Sequence, residues 1–201
     1  MREKILQKAA EMFLNLGFKS VTMDDIAHEI GISKKTIYAH FDTKTKLVEA
    51  VTFYLFNMIS NGIDEINDRK LNAIEELFAV KSFIGEHLKD EKSSPFYQLQ
   101  KYYPKIFIRL KKMQLEVMRR CVIGNLERGV ETEIYRSEMN IPFIARIYFM
   151  GIIAMKDPSM FPSEDFPIKE TSIQYLEYHI RAISTDKGLK ILHQLLNDKH
   201  N

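Results

Sequence analysis

The chain of 201 residues is long enough to bury a hydrophobic core, and its 45% hydrophobic and 28% charged residues are ordinary for a globular protein. A single cysteine, Cys121, excludes an intramolecular disulfide and a thiolate-rich metal cluster, and the six histidines have no metal-ligand spacing. The net charge of +2 is too small to indicate nucleic-acid binding by the whole chain, so any DNA-binding charge must be local.

The apolar segments are too short for a membrane. The most apolar of them, 141–155, contains Arg146, and a membrane span needs ~20 apolar residues. Met1 is followed by alternating charged and apolar residues, without the apolar block of a signal peptide. We therefore expect a cytoplasmic protein without a membrane partner.

Helical periodicity and helix-ending residues alternate along almost the whole chain. In the first sixty residues they predict three short helices and a long one, over about 5–16, 22–30, 34–40 and 43–59. After Asn61-Gly62 the predicted helices are mostly longer, over about 72–88, 96–103, 104–128, 140–157, 169–183 and from 186 onward. No strand pattern or repeat interrupts them, so the predicted fold class is all-α.

The second and third helices have the features of a helix-turn-helix. Thr22 and Ser33 are candidate N-caps, and Gly31 supplies the turn between the helices. Small Ala27 permits a close crossing, and isoleucines on the inner faces lock the pair together. From Ser33 to Lys46 there are four lysines and one acid, Asp42, which gives a local charge of +3.

The exposed face of the third helix fits the major groove of DNA. Its lysines can reach guanine O6 and N7, and Thr36 and Ala39 can contact base edges or a thymine methyl. Hydroxyls, a histidine ring and a further lysine around this face suit phosphate oxygens. The predicted DNA-binding residues are Thr22, Ser33, Lys34, Lys35, Thr36, Tyr38, Ala39, His40 and Lys44.

Residues 2–48 resemble the DNA-binding domain of the TetR family of repressors. The resemblance rests on Leu16-Gly17-Phe18, Thr22, Ile26-Ala27, Ile30-Gly31-Ile32-Ser33, Thr36-Ile37-Tyr38-Ala39-His40-Phe41, Lys44 and Leu47 at the family's spacing. Family members often carry an aromatic residue where this chain has Ala39. Matches beyond residue 48 are weaker and include Tyr135-Arg136 and Ser184-Thr185-Asp186-Lys187-Gly188.

The resemblance implies an N-terminal three-helix helix-turn-helix DNA-binding domain, 1–48, followed by a helical ligand-binding and dimerisation domain, 49–201. It further implies a homodimer that binds palindromic double-stranded operator DNA and is released by a small-molecule inducer. The last helices of such proteins usually form a four-helix bundle across the two-fold axis. Neither a cofactor nor a metal is expected.

Methionine and aromatic residues are concentrated between 96 and 118. Methionine can reshape a cavity and tyrosine can orient a ligand, so we predict a mostly hydrophobic ligand there. Packing in an ordinary core explains the same pattern. The predicted ligand-binding residues are Phe96, Tyr97, Tyr102, Tyr103, Phe107, Met113 and Met118.

The segments 141–155 and 173–183 are apolar on more than one side. Such helices serve the deep core or serve a core and an interface together, and two-fold operators favour the interface. The predicted dimerisation residues are Ile144, Tyr148, Ile152, Tyr175, His179 and Ile183.

Three alternatives to a repressor follow from the same sequence. An enzyme would need a nucleophile with a nearby base or a phosphate-binding loop, and the sequence contains neither pattern. A TetR-like interaction module that has lost DNA binding conflicts with the intact basic face. An activator would have the same DNA-binding pattern, and only the family resemblance favours repression over activation.

Overall fold

A computed structural model describes residues 1–88 and 95–198 of the protein. Within them the chain forms ten α-helices and no strand, which confirms the predicted all-α class. The helices are α1 (Arg2–Leu16), α2 (Met23–Ile30), α3 (Lys34–His40), α4 (Lys44–Asn67), α5 (Ala73–Leu88), α6 (Pro95–Tyr102), α7 (Pro104–Glu131), α8 (Ile141–Ala154), α9 (Ile168–Ile183) and α10 (Asp186–Asp198).

The helices form two compact units. Unit 1 comprises 1–60 and 88–113, and unit 2 comprises 61–87 and 114–201. Helices α4 and α7 each contribute residues to both units. The division predicted between residues 48 and 49 concerns function rather than packing, and it stays a prediction.

Unit 1 has one hydrophobic core that α6 and the start of α7 share with the first four helices. Phe13, Ile37 and Leu47 have no exposed surface in this core, and Leu99 and Phe107 are also buried in it. Apolar residues of α6 and α7 at helical spacing supply this contact. The three N-terminal helices are therefore packed against residues that are far from them in sequence.

Helix α4 continues through the position where the sequence indicated a change of structure. Gly62 lies inside the helix, and a Cβ atom built there would collide with the ring of Phe83 in α5. The missing side chain thus admits an aromatic ring rather than ending the helix. A glycine in a helical pattern can end the helix or allow a neighbouring side chain to pack closely against it. The sequence alone does not distinguish these two roles.

Unit 2 contains a buried polar network in a core formed by α5 and α7–α10. The carboxylate of Glu76, whose side chain is 4% exposed, accepts hydrogen bonds from Arg128 and from Asn125 Nδ2 at 2.8 Å. Tyr135 donates from its hydroxyl to Asn125 Oδ1 at 3.3 Å. Because every buried partner is hydrogen-bonded, the network fixes α5 against α7 at a modest desolvation cost.

Candidate nucleic-acid interface

Helix α2 begins with a reciprocal capping box. Thr22 Oγ1 accepts from the backbone nitrogen of Asp25 at 3.1 Å, and Asp25 Oδ2 accepts from the backbone nitrogen of Thr22 at 2.8 Å. The hydrogen bond from the Thr22 backbone is the main reason that the pKa of Asp25 is lowered. The predicted N-cap at Thr22 is thereby confirmed, and it holds the start of α2 in place.

Gly31 and Ser33 turn the chain from α2 into α3. Gly31 has φ 70° and ψ 37°, the left-handed conformation that glycine adopts without steric cost. Ser33 Oγ accepts from the backbone nitrogen of Thr36 at 3.1 Å and lies 2.9 Å from the Thr36 hydroxyl. The turn and the cap together set the direction in which α3 leaves α2.

Helix α3 buries one residue and exposes the rest. Ile37 is fully buried, whereas Thr36 is half-buried and most of the remaining helix is open to solvent. The exposed residues of α3 are Lys34, Lys35, Tyr38, Ala39 and His40. Unit 1 therefore presents a polar helix face with no covering element in the described chain.

An ion pair with α2 occupies one lysine of this face. Lys34 Nζ donates to Asp24 Oδ2 at 2.7 Å, and both side chains are more than half exposed. The hydrogen bond to Asp24 raises the pKa of Lys34. The ammonium also lies 6.0 Å from the centre of the Tyr38 ring. Sequence reasoning missed the pair because its partners are on different helices.

Lys44, at the start of α4, lies beside the α1–α2 connector. Its Nζ donates to the backbone oxygen of Lys19 at 3.5 Å, and its half-buried position lowers its pKa through desolvation. All nine predicted DNA-binding residues thus lie in unit 1, on α3 and at the N-terminal ends of α2, α3 and α4. Their contact with DNA stays a prediction.

The seven predicted ligand-binding residues are divided between the two units, and their contact with a ligand stays a prediction. Phe96 and Phe107 pack edge to face with ring centres 5.0 Å apart, and Tyr103 packs on Phe18, all in the core of unit 1. Met118 is buried in the core of unit 2. Tyr97 and Tyr102 are exposed on α6, and Met113 is half-buried at the end of unit 1.

The six predicted dimerisation residues lie where α8 packs on α9. Tyr175 donates from its hydroxyl to the backbone oxygens of Ile147 and Tyr148, and the Tyr148 ring stacks on His179 at 4.3 Å. His179 and Ile183 are 7% and 1% exposed, so they belong to the core of their own protomer. Ile144, Tyr148, Ile152 and Tyr175 are half-buried.

A different apolar strip faces outward from the same two helices. Phe143, Ile147 and Met150 on α8 are more than half exposed, and Tyr178 on α9 is 70% exposed. Their spacing of four and then three residues on α8 is one helix face. Large exposed apolar residues that are contiguous mark an interaction surface. A second chain has access to this strip and not to Ile183.

A shallow groove of about 290 Å³ lies between the end of α8 and α9. Its walls are mostly apolar, and they include Gly151, Met155, Phe161, Phe166 and Tyr178.

In the described ranges no cluster of three or more histidine, cysteine or acidic side chains could hold a metal ion. None of the helices over those ranges is long and apolar enough to cross a membrane.

Comparison with known proteins gives a family match that coincides with the capped helices. Residues 5–51 match the model of the bacterial regulatory proteins of the tetR family. This range spans most of α1, all of α2 and α3, and the first residues of α4.

Two curated relatives are similar over the N-terminal part of the chain. The negative transcriptional regulator IcaR of the biofilm operon icaADBC in Staphylococcus aureus is 33% identical over 91 residues, or 45% of this chain and 47% of IcaR. The transcriptional repressor KstR2 of Mycolicibacterium smegmatis is 34% identical over 76 residues, or 38% of this chain and 37% of KstR2. The matched regions therefore span less than half of either relative.

Solved structures extend the likeness of fold to nearly the whole chain. A TetR-family regulator from Agrobacterium tumefaciens superposes with a TM-score of 0.73 at 17% identity, over 92% of this chain and 97% of that one. The ketosteroid regulator KstR2 of Mycobacterium tuberculosis has a TM-score of 0.57 at 19% identity, over 92% and 95%. Helices beyond the family match thus share the fold of these regulators.

Proposed function

We propose that this chain is a member of the TetR family of bacterial regulatory proteins and that it represses transcription by binding palindromic operator DNA as a homodimer. The exposed face of α3, a helix capped by Ser33 that follows the capped helix α2, is the observation that carries the proposal. Repression rather than activation is supported by the names of IcaR and KstR2, both of which are negative regulators. We place this activity in the cytoplasm, where the chromosome of a bacterium lies.

The residues of the face take two roles in the proposal. Lys34, Lys35, Thr36 and Ala39 read base edges in the major groove. The hydroxyls of Thr22, Ser33 and Tyr38, the ring of His40 and the ammonium of Lys44 contact phosphates. Phosphate contacts supply most of the affinity, and the base contacts select the sequence.

Two copies of the chain pair through the exposed strip of Phe143, Ile147, Met150 and Tyr178 in this proposal. Burial of four large apolar side chains favours association, since apolar area removed from water contributes ~25 cal/mol per Å². A two-fold dimer presents one α3 helix to each half of a palindrome, roughly 34–36 Å apart.

A small, mostly hydrophobic ligand releases the protein from DNA in our proposal. Helix α4 is continuous from Lys44, at the DNA-binding face, to Asn67 in unit 2, so a shift of α4 changes the position of α3. A ligand acts in this way only if it binds the DNA-free form more tightly. Equal ligand affinity for the free and the DNA-bound protein would contradict release.

The test is selection of bound sequences from a random DNA pool by the wild type and by Lys34→Ala/Tyr38→Ala in parallel. We expect the wild type to enrich a palindrome and the variant to enrich none. Both side chains are exposed, so the variant should keep the fold, which circular dichroism checks. Enrichment by both proteins would remove α3 as the reading helix, and enrichment by neither would favour an interaction module.

A further inference from the structure

A basic segment of unit 1 is not used by the function proposed above. Between residues 95 and 115 the chain has five basic residues and no acidic one, although the whole chain has 29 basic and 27 acidic residues. The basic residues are Lys101, Lys105, Arg109, Lys111 and Lys112. Most of this segment lies in α6 and the start of α7, which share the hydrophobic core of the DNA-binding helices.

One part of this segment forms a compact group of exposed cations and aromatic rings. Lys101 Nζ lies 5.8 Å from the centre of the Tyr97 ring and 5.6 Å from that of Tyr102. Lys19, on the α1–α2 connector, places its Nζ 5.7 Å from the same Tyr102 ring. All four side chains are exposed. We call Lys19, Tyr97, Lys101 and Tyr102 the α6 patch.

Two ammonium groups beside one ring make an anion-binding arrangement. Lys19 and Lys101 each place an ammonium group within 6 Å of the centre of the Tyr102 ring, so two positive charges lie around one exposed aromatic side chain. A phosphate group beside this ring is attracted by both charges. Lysine ammonium groups and tyrosine hydroxyls are both regular donors to phosphate oxygens.

The patch is anchored to the α1–α2 connector rather than free to move away from it. Gln98 Oε1 in α6 accepts from the backbone nitrogen of Lys19 at 3.2 Å. The Gln98 side chain also covers Gly17, where an added Cβ atom would collide with the Gln98 amide. Helix α6 therefore holds Lys19 at a fixed place in unit 1.

The patch is continuous with the proposed DNA-binding face. The backbone of Lys19 makes two hydrogen bonds. Its nitrogen donates to Gln98, and its oxygen accepts from the ammonium of Lys44. Lys44 is one of the residues that we propose to contact phosphate. The cations of Lys44, Lys19 and Lys101 thus follow one another from the start of α4 to α6 within one unit.

From this continuity we infer that the α6 patch binds the sugar-phosphate backbone of duplex DNA beside the sequence read by α3. This inference rests on the proposed function, because it extends the same DNA interface. The patch carries no base-reading geometry, so it adds affinity without changing the preferred sequence. Its contribution falls with salt, as counterions are released from each phosphate that it neutralises.

The test compares two duplexes that contain the selected palindrome. One ends at the outer base pairs of the palindrome, and the other continues for about ten base pairs, one helical turn, on each side. We expect the wild type to bind the longer duplex more tightly, on the order of fivefold at about 0.1 M salt, with a steeper salt dependence. Lys101→Gln should abolish this gain while binding the short duplex as the wild type does.

Lys112→Gln is the matched control, because Lys112 is an exposed lysine on a helix of the same unit outside the patch. It should keep the gain from the longer duplex. A plot of log K against log salt has a negative slope. Lys101→Gln should make this slope less steep by about 0.9 for each phosphate that the variant no longer neutralises. Lys19→Gln/Lys101→Gln should make it less steep still.

Three results would overturn the inference. In the first, duplex length makes no difference to the wild type. In the second, Lys101→Gln and Lys112→Gln weaken binding to both duplexes equally, which is a general charge effect. In the third, length has no effect on the wild type, but phosphatidylserine vesicles bind the wild type and not Lys101→Gln, which makes a membrane the partner.

Failure of the proposed function is seen separately, as a pool from which the wild type enriches nothing. The comparison is then made on a long duplex of arbitrary sequence. There the salt slopes of Lys101→Gln and Lys112→Gln still differ if the patch contacts phosphates, and equal slopes reject the inference.

Discussion

At the scale of single residues, the ion pair between Lys34 and Asp24 opposes the DNA contact that we propose for Lys34. In that proposal Lys34 must leave Asp24 to reach a base edge, and the charge of Asp24 repels phosphates. Because both side chains are exposed, the pair contributes little to the stability of the fold. The main consequence of the pair is therefore for the proposed binding of DNA.

We predict that Asp24→Asn binds the operator more tightly than the wild type, on the order of three- to tenfold at low salt. The substitution frees Lys34 and removes one negative charge, at a cost of a few tenths of a kcal/mol to the start of α2. Fluorescence anisotropy with a labelled operator measures the change. Asp42→Asn, which removes an exposed acid next to α3, is the control for charge alone, and an equal gain there would contradict the role of the pair.

His179 makes the stability of unit 2 depend on pH. Burial beside the Tyr148 ring lowers the pKa of its imidazole to about 4, whereas an exposed histidine titrates near 6.5. Above pH 6.5 the ring is neutral in the folded and unfolded chain. Below 6.5 the unfolded chain takes up a proton that the folded chain refuses until about pH 4, so the folded state loses stability in that window.

We predict that the contribution of His179 to the free energy of unfolding falls by about 1.4 kcal/mol per pH unit between pH 6.5 and 4. Urea unfolding at several pH values measures the slope. His179→Phe keeps an aromatic ring against Tyr148 and should remove this part of the slope. Substitution of the exposed His28 by Gln should leave it in place. If His179→Phe has the wild-type slope, the imidazole titrates normally in the folded protein.

At the scale of elements, α6 is a structural part of unit 1. Leu99 is buried in the core of unit 1, and the side chain of Gln98 packs against Gly17 in the α1–α2 connector. Gly17 has φ 82° and ψ 158°, a conformation that is almost confined to glycine. The contact between α6 and α1 therefore depends on the absence of a side chain at this position.

We predict that Gly17→Ala lowers the free energy of unfolding by about 3 kcal/mol, through backbone strain and collision with Gln98. In a Gln98→Ala background the collision disappears, and the cost should fall by about 1 kcal/mol. Gly31→Ala is the matched control, since φ is 70° there but no atom lies within 4 Å of the added carbon. It should cost about 1 kcal/mol in both backgrounds. Urea unfolding gives all six values, and equal costs of Gly17→Ala in both backgrounds would refute the contact.

At the scale of the whole molecule, the exposed strip on α8 and α9 governs assembly in the proposed function. Phe143, Ile147 and Met150 lie on one face of α8, and no element of the described chain covers them. Dimerisation removes this apolar area from water and places two α3 helices on one operator. A charge in the strip should therefore affect both assembly and DNA binding.

We predict that Ile147→Glu is a folded monomer with at least about tenfold weaker operator binding, because an unpaired buried charge opposes association. Sedimentation equilibrium measures the mass, and anisotropy measures the affinity. Ile108→Glu is the control for assembly, since Ile108 is 67% exposed on α7 in unit 1. If Ile147→Glu is still a dimer, the dimer interface lies on another surface of the protein.

The sequence by itself determined the helices, the N-caps at Thr22 and Ser33 and the outward face of α3. These features depend on residues within one or two helical turns of each other, so their pattern is visible along the chain. The sequence did not determine which side of α9 is buried, because the pattern of a helix that is apolar on most sides does not show its buried side. Ile183 and His179 accordingly proved to be core residues.

Only the tertiary structure decided which distant segments pack together. A ligand pocket and an ordinary core both explain the aromatic residues of α6 and α7, and the folded chain places Phe96 and Phe107 in the core of unit 1. The Asp24–Lys34 pair joins two helices, and the Gln98–Lys19 bond and the α6 patch join α6 to the α1–α2 connector. Such contacts depend on how helices cross, and apolar periodicity fixes the buried face of a helix but not its partner.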